Sequence, residues 1–240
     1  MAELLTNEFF VKDRQFFLRL AREGKAPQVV YDIGAASGGW SGIMSAGLAP
    51  AEYHLFEPLA SHTQYSARLK GHLQEHPTWV LHPIALSDRN GTCTMSVGRN
   101  AASSTLIDMS DYPSQFSARG EVPQWRLDDY VYANKLRLPD LVKMDTQASE
   151  QLIFAGGSRT IWVAQALMIE TWLYQEYGPS TPLLAEIVDL AASLGFILFR
   201  FGDEYRDSLG RIFSVDVVFT KPGFLDAAAL DETIEDPVFK

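Results

Sequence analysis

Cysteine is almost absent from this 240-residue sequence, which contains Cys93 alone. A single cysteine can form neither an internal disulfide nor a cysteine-built metal site. Positive charge is also scarce, because 20 Lys and Arg stand against 30 Asp and Glu and give a formal net charge of -10. Such a charge repels phosphate backbones and anionic lipid headgroups, so we expect neither nucleic acid nor a bare membrane surface as a partner.

Long apolar runs are missing as well. No run reaches the length that spans a bilayer, and the N-terminal residues lack the basic and apolar parts of a secretory signal. The sequence therefore predicts a protein without membrane insertion, with the cytoplasm as its expected location. The 47% hydrophobic content is enough for one sizeable core, so we expect residues 1–240 to form a single domain with an acidic tail at 223–240.

The sequence does contain a regular alternation of helical patterns and short β-branched or aromatic runs. Predicted helices cover residues 7–24, 40–48, 62–76, 150–154 and 182–194, and predicted strands cover 29–31, 53–56, 79–81, 141–145, 166–170, 196–201 and 212–219. This alternation predicts an α/β fold with a mostly parallel sheet and helices on both faces. A short polar connector joins the last two strands and leaves no room for a crossover helix, so the C-terminal strand is expected to be antiparallel.

Residues 92–131 interrupt the alternation. Apolar and polar residues first alternate, which indicates a half-exposed strand, and a polar loop follows. We interpret this segment as an insertion whose loop, with Ser103, Ser104, Tyr112 and Trp125, could close over a substrate and exclude water. The choice of substrate is expected to depend on this insertion and on the outer loops.

A glycine turn follows the first predicted strand. Gly34, Gly38 and Gly39 lack side chains, so the backbone there can turn sharply and approach a bound group closely. In open α/β sheets, ligands bind beyond the carboxyl ends of the strands, at the switch point beside the first strand. The turn therefore predicts a cofactor pocket, to which the start of the next helix adds free N–H donors.

The spacing of the turn favours S-adenosylmethionine over NAD. Dinucleotide folds use G-x-G-x-x-G, whereas this turn reads G-x-x-x-G-G and has Ala36 in place of the second glycine. Asp32 stands just before the turn, where a carboxylate would repel a pyrophosphate but could help to hold a cationic ammonium group. An NAD-dependent oxidoreductase remains an alternative, because Glu57 at the end of the second strand suits the ribose hydroxyls of either cofactor.

Short motifs at successive strand ends carry a family resemblance. They are Asp32-Ile33-Gly34-Ala35, Phe56-Glu57-Pro58, Ala85-Leu86-Ser87-Asp88, Leu127-Asp128-Asp129-Tyr130 and Val142-Lys143-Met144-Asp145. Each motif is short, but their order and their positions at strand ends make the set fairly specific. On these residues the chain resembles the FkbM-type methyltransferases, from about Val29 to Pro222.

The resemblance implies a class I methyltransferase (Rossmann-like) fold with a seven-stranded sheet. It also implies transfer of a methyl group from S-adenosylmethionine to oxygen, usually to a hydroxyl of a sugar, polyketide or other small metabolite. By the same resemblance, Asp32 and Gly34 contact the methionine part of the cofactor, Glu57 the ribose, and residues 85–88 the adenine. The predicted cofactor-site residues are Asp32, Gly34, Ala35, Ser37, Gly38, Glu57, Pro58, Ala85, Leu86 and Asp88.

The chain departs from the family pattern after the predicted strand 141–145. Where the family usually has a glycine before an acid, the sequence reads Gln147-Ala148-Ser149-Glu150. The local backbone and the role of Glu150 therefore do not follow from the resemblance. This departure also keeps open a second alternative, a non-catalytic module that binds the cofactor.

The predicted chemistry needs one acceptor oxygen in line with the methyl group and a place for one proton. Because a sulfonium already carries an excellent leaving group, the base need not be strong. Lys143 and Asp145 lie two residues apart on one strand face, and Asp145 is at the carboxyl end, so Asp145 is the leading base candidate. The alternative is that Asp145 caps the next helix or orients the cofactor, while Lys143 forms a structural ion pair.

Two further groups complete the predicted site. Glu170 ends the next strand and is expected to bind the substrate, or to take the proton if Asp145 does not, unless its role is structural. His54 and His82 lie in or beside strands and are expected to be satisfied core residues. No histidine cluster with metal-ligand spacing is evident, so no required metal is predicted. The expected partner is a small-molecule hydroxyl acceptor.

Overall fold

A computed structural model describes residues 10–49 and 51–225, and the strands in this part of the chain form two sheets. In chain order the strands are β1 (Val29–Ile33), β2 (Glu52–Phe56), β3 (Trp79–His82), β4 (Ala85–Leu86), β5 (Gly91–Gly98), β6 (Phe116–Trp125), β7 (Leu141–Met144), β8 (Ala166–Trp172), β9 (Ile197–Arg206) and β10 (Ile212–Thr220). The helices are α1 (Val11–Arg22), α2 (Gly39–Ser45), α3 (Ser66–Glu75), α4 (Leu127–Asn134), α5 (Glu150–Trp162) and α6 (Leu184–Ser193).

The larger sheet has seven strands in the order β3-β2-β1-β7-β8-β10-β9. Neighbours from β3 to β8 are parallel, and β10 runs antiparallel to both β8 and β9. The predicted mostly parallel sheet with an antiparallel C-terminal strand is therefore confirmed. The chain order reverses between β1 and β7, so the carboxyl ends of these two strands flank a crevice that can hold a ligand.

Side chains on β1 alternate between two apolar layers, because successive residues of a strand point to opposite faces. Val30 packs with Trp40 in the layer formed by α1, α2 and α3. Tyr31 packs with Ile153 in the layer formed by α4, α5 and α6. Asp32 therefore lies on the same sheet face as Val30, toward α1 and α2, and is fully buried there.

The strands β5 and β6 of the insertion form a three-stranded sheet with β4, which precedes it, in the order β4-β6-β5. β5 and β6 pair antiparallel, so the prediction of a polar loop was wrong over Phe116–Trp125. Gly120 and Pro123 are poor strand residues and conceal β6 in the sequence. The predicted end of the insertion at residue 131 was also wrong, because α4 begins at Leu127 and packs into the main core.

The helix bounds differ from the predictions in detail. α1 lies within the predicted range 7–24, of which residues 7–9 are outside the described part of the chain. α5 continues to Trp162, well beyond the predicted range 150–154. Residues 226–240 of the predicted acidic tail also fall outside the described residues. Among the helices described, none is both long and apolar enough to cross a membrane.

Candidate active site

A cleft opens at the carboxyl ends of β1, β2 and β7. The predicted site residues that line it are Gly34, Glu57, Pro58, Ala85, Leu86 and Asp145. The predicted site residues outside its lining are Asp32, Ala35, Ser37, Gly38, Asp88, Lys143 and Glu170. Lining residues that the sequence did not single out for this cleft include Ala36, Tyr65, Thr146, Gln147 and Ser149.

Glu57 is the buried carboxylate of the cleft. Its Oε2 accepts a hydrogen bond from the backbone N–H of Ala36 at 2.8 Å, and its Oε1 accepts one from the N–H of Leu59 at 2.7 Å. Burial raises the pKa of Glu57 to about 7, although these two N–H donors act in the opposite direction. Because each oxygen keeps a free lone pair, the carboxylate can accept further hydrogen bonds from vicinal hydroxyls.

Apolar side chains form much of the remaining lining. Ile84 and Leu86 come from the segment around β4, and the insertion adds Met95, Leu106 and the short 3-10 turn Ala101–Ser103. An apolar wall of this kind favours a flat ring over a charged group. The insertion therefore helps to build the cleft and is not simply an appendage to it.

Position 34 requires glycine because the turn after β1 packs closely against the segment that follows β7. Its φ is +81°, and a Cβ there would lie 1.9 Å from the Asp145 carbonyl oxygen. No side chain fits at that distance without moving the backbone of one of the two segments. Gly38 also has a positive φ of +78°, but it faces His72 of α3 and not the cleft.

Asp32 and Asp88 lie away from the cleft lining. Asp32 accepts a 2.6 Å hydrogen bond from the Ser41 hydroxyl of α2, and its other oxygen is 3.5 Å from the Lys143 ammonium. Asp88 pairs with the neighbouring Arg89, whose Nε is 2.9 Å away. Of the segment 85–88, only Ala85 and Leu86 line the cleft.

A carboxylate network, formed by Asp32, Lys143, Asp145, Gln147 and Glu170, runs along the end of the sheet beside the cleft. The Lys143 ammonium lies 3.2 Å from Asp145 Oδ2. The Gln147 side-chain amide donates to Asp145 Oδ1 at 2.7 Å and to Glu170 Oε2 at 2.8 Å. Asp145 lines the cleft, whereas Lys143 and Glu170 stand behind it and contact the cleft only through Asp145 and Gln147.

Two of the three acids of this network, Asp145 and Glu170, hold their protons differently. Burial would raise the pKa of Asp145, but the Lys143 charge and hydrogen bonds from Glu170 and Gln147 hold it below its usual range. Burial and the adjacent Asp145 charge raise the pKa of Glu170 well above its usual range. Negative charge therefore concentrates on Asp145 and the proton on Glu170. For Lys143, the neighbouring carboxylates outweigh burial and raise its pKa.

The loop after β7 contains the departure from the family pattern, but Ser149 itself, immediately before Glu150, has a φ of -107°, which does not require glycine. Gln147 and Ala148 have φ values of 55° and 72°, a left-handed conformation that favours glycine. Glu150 nevertheless folds back, and its Oε1 accepts from the backbone N–H and the hydroxyl of Thr146, both at 2.9 Å. Burial raises the pKa of Glu150 to about 7. Glu150 thus holds the loop that carries Gln147.

A histidine network lies on the opposite face of the sheet and consists of Glu52, His54, His82 and Tyr130. His54 contacts Glu52 Oε1 and His82 at 2.8 Å each, and His82 reaches the Tyr130 hydroxyl at 3.1 Å. Burial lowers the pKa of His82 to about 4. The prediction that His54 and His82 are satisfied core residues is confirmed.

Two predictions about individual side chains need correction. His72 and Glu75 of α3 and His76, which directly follows the helix, bring ligand-capable atoms within 4.8 Å of one another, so one histidine cluster does have metal-ligand spacing. The two histidines are four residues apart, in the last turn and at the end of the helix. Trp125 does not belong to a closing loop; it ends β6 and packs edge-on against Tyr130, with 5.5 Å between ring centroids.

Comparisons with known proteins agree with this geometry. The 2-O-methyltransferase NoeI of Sinorhizobium fredii (strain NBRC 101917 / NGR234) is 26% identical to the chain over 185 residues, which are 72% of this chain and 74% of that protein. The solved structure of Methyltransferase FkbM from Methylobacillus flagellatus KT has a TM-score of 0.53 and 15% identity. That match covers 80% of this chain but only 43% of the other and shows a shared fold.

The family model for the Methyltransferase FkbM domain matches residues 32–198, which contain the cleft and the carboxylate network. The alternatives of an NAD-dependent oxidoreductase and a non-catalytic module find no support in these comparisons. The chain belongs to the FkbM methyltransferase family and is a methyltransferase of class I, Rossmann-like fold.

Proposed function

We propose that the protein is an S-adenosylmethionine-dependent O-methyltransferase that acts on a hydroxyl of a sugar or another small metabolite. The observation that carries this proposal is the pairing, in one cleft, of the buried Glu57 carboxylate with the charged Asp145 at the edge of the carboxylate network. The similarity to a 2-O-methyltransferase supports an oxygen acceptor.

The residues of the cleft fit the proposed cofactor. Glu57 is fixed by two backbone N–H donors and presents free lone pairs to the ribose hydroxyls. Leu86 and Ile84 give the adenine an apolar wall, and Gly34 brings the turn after β1 close to Asp145. When bound, S-adenosylmethionine would supply the methyl group from a sulfonium. Because the sulfide that remains is a good leaving group, the acceptor oxygen needs no strong base.

Asp145 is the proposed proton acceptor. Its carboxylate is charged, lines the cleft and can accept a hydrogen bond from the hydroxyl that is to be methylated. During transfer of the methyl group to the acceptor oxygen, Asp145 would accept the hydroxyl proton. Lys143 holds Asp145 in its ionised form, so we treat Lys143 as a positioning residue and not as a catalytic one.

Glu170 and Gln147 are proposed to orient the acceptor side of the cleft. Gln147 bridges Asp145 and Glu170 through one amide nitrogen, and Tyr177 donates its hydroxyl to the Gln147 carbonyl oxygen. A neutral Glu170 adds a second polar group without a second negative charge. Residues of the insertion near Ser104 line the cleft and are proposed to exclude water when substrate is bound.

Binding and transfer can be tested separately. Calorimetry should detect S-adenosylmethionine and S-adenosylhomocysteine, and Glu57→Ala should weaken both by about 10- to 100-fold, since it removes hydrogen bonds to a charged group. Asp189→Asn, at an exposed position on α6, is the matched control. NADH should give no saturable fluorescence change. Failure of both cofactor forms to bind, or saturable NADH binding, would contradict the proposal.

The acceptor class requires a second experiment. Labelled methyl transfer should be measured with a panel of sugars and other hydroxylated metabolites, with amines and thiols as comparison acceptors. We expect the label on oxygen, established by mass spectrometry of the product. Transfer only to nitrogen or sulfur would refute the O-methyltransferase assignment while leaving the cofactor site intact.

A further inference from the structure

Three carboxylates from distant parts of the chain meet outside the cleft. They belong to Asp13 on α1, Asp203 on β9 and Asp216 on β10, and one oxygen of each lies within 4.8 Å of the others. None of the three belongs to the carboxylate network. Such convergence of like charges is unfavourable unless something positive is shared between them.

Asp13 directs an unused oxygen into this cluster. The residue is only 3% exposed, and its Oδ2 accepts a 2.9 Å hydrogen bond from the Trp40 indole N–H. Its Oδ1 has no hydrogen-bond partner among the described residues, and neither has Oδ2 of Asp203. A buried carboxylate oxygen without a partner is costly, so these two atoms call for a ligand.

Gly202 keeps the space between the carboxylates open. A Cβ at this position would lie 3.1 Å from Asp13 Oδ1 and 2.8 Å from the Cβ of Asp216. Any larger residue would therefore fill the volume toward which the unpartnered oxygen points. The glycine is explained by this close approach, because it lies within a strand where glycine is otherwise unfavourable.

Basic side chains of the same region are engaged elsewhere. The Lys12 ammonium donates to the Gly202 carbonyl at 2.8 Å, and Arg200 donates to the Lys12 carbonyl at 2.8 Å. Lys143 lies in salt-bridge distance of Asp32 and Asp145. The Tyr205 hydroxyl donates to Asp216 Oδ2 at 3.1 Å, so among the described residues Asp13 Oδ1 and Asp203 Oδ2 are the oxygens left for a ligand from solution.

We propose that Asp13, Asp203 and Asp216 bind one divalent cation of the magnesium or calcium class. Carboxylate oxygens are the ligands that these hard cations prefer, and water completes their coordination. The cation would join α1 to the antiparallel end of the sheet and thereby stabilise the fold. The site does not depend on the proposed function, and it supplies no group to methyl transfer.

Terbium luminescence gives a direct test, because the Trp40 indole hydrogen-bonds to Asp13 and can transfer excitation to a bound lanthanide. We expect saturable emission at one terbium ion per chain, displaced by calcium or by magnesium, whichever is the better ligand. Asp203→Asn should weaken binding at least about tenfold, because it removes one of three charged ligands. Asp189→Asn is the control. Emission that neither cation displaces, or that Asp203→Asn leaves unchanged, would overturn the site.

Thermal unfolding provides a test that does not use the lanthanide. A cation at about 100 times its dissociation constant should lower the unfolding equilibrium constant about 100-fold and raise Tm. At the same cation concentration, Asp203→Asn should reduce this response to about tenfold or less, yet raise Tm in the presence of a chelator, since it removes one like charge. An equal Tm with cation and with chelator at matched ionic strength would mean that the carboxyl groups share protons only, and would refute the proposal.

Discussion

Two buried polar networks lie on opposite faces of one sheet and differ in their charge. In the histidine network, every ring nitrogen of His54 and His82 has a partner, and burial lowers the pKa of both rings, so both rings stay neutral near pH 7. The Glu52 charge of this network is balanced by Arg137, 3.0 Å away. In the carboxylate network, Lys143 is the cation shared by Asp32 and Asp145, while Glu170 holds its proton.

This difference in charge distinguishes a structural network from a functional one better than the burial of the residues does. The histidine network satisfies its own donors and acceptors and has no residue in the cleft lining. The carboxylate network has an excess of negative charge, and it presents that excess on Asp145, which lines the cleft. A buried polar group therefore indicates a site when its charge is unbalanced and directed into a cavity.

Asp145→Asn should give the largest change in activity. The amide keeps the size of the side chain but cannot take a proton, so kcat should fall by about 100- to 10,000-fold. Cofactor affinity should change by less than about threefold if Asp145 acts on the acceptor. Single-turnover methyl transfer and calorimetry check the two expectations. A variant with full turnover would place the base elsewhere, whereas a large loss of cofactor affinity would make Asp145 a cofactor ligand.

Lys143→Met should give the largest change in stability. It leaves the buried Asp32 and Asp145 charges without their cation, which we expect to reduce the free energy of unfolding by about 3–5 kcal/mol near pH 8. The loss should be smaller at pH 5, because Asp145 without Lys143 takes up a proton more readily. Denaturant unfolding at both pH values measures the effect. A loss that does not depend on pH would show that packing, and not charge, is responsible.

His82→Phe should break the histidine network without affecting transfer. It leaves His54 Nδ1 and the Tyr130 hydroxyl without the partner that His82 provides and should cost about 1–3 kcal/mol of unfolding free energy at pH 8, with kcat within about twofold of the wild type. A loss of kcat comparable to that of Asp145→Asn would remove the functional distinction between the two networks.

The pH dependence of this variant has a definite sign. The pKa of His82 is lowered to about 4 in the folded protein, so between the ordinary value of 6.5 and 4 the unfolded chain binds a proton that the folded chain excludes. The unfolding free energy of the wild type therefore decreases as the pH falls through that window. His82→Phe lacks this titrating group, so the difference in unfolding free energy between the wild type and the variant should be smaller at pH 5 than at pH 8. A difference in unfolding free energy that is larger at pH 5 than at pH 8 would contradict the lowered pKa of His82.

Ala148→Gly should give the smallest effect and is the only one of these changes expected to stabilise. Its φ of 72° is strained for alanine, and relief of this strain should slightly exceed the entropic cost of glycine, for a gain of up to about 1 kcal/mol. Thermal unfolding measures the gain. A loss of stability would mean that the Ala148 side chain, which packs with Phe116 and Trp172, matters more than the backbone strain.

The large sheet was predictable because its strands are short apolar runs separated by clear helical patterns. The prediction of strands and helices failed where the local amino-acid composition opposes the observed structure. Pro123 and Gly120 conceal β6, and the two acids near the start of α4 look like a loop although Leu127 and Val131 bury one face of that helix. Pairing and tertiary packing decide such segments, and neither is visible in a short window of sequence.

The site was predictable where residues follow strand ends and not where distant segments meet. Glu57 and Asp145 follow β2 and β7 directly, and both line the cleft. Gln147 was missed as a bridge because its role depends on a left-handed backbone. Asp13 and Asp216 are on opposite ends of the chain and come together only through the packing of α1 on the antiparallel strands.

The contact between Gly34 and the Asp145 carbonyl has a consequence for redesign of this enzyme. Because a Cβ on Gly34 would lie only 1.9 Å from the Asp145 carbonyl oxygen, the turn proposed to receive the methyl donor and the segment that carries the proposed proton acceptor cannot shift independently. A substitution made to alter cofactor preference at position 34 would therefore also shift the alignment of the nucleophile. Changes of acceptor range are better sought in the loop between β5 and β6 at positions other than Thr105, whose hydroxyl donates to the Gln147 backbone carbonyl at 2.6 Å.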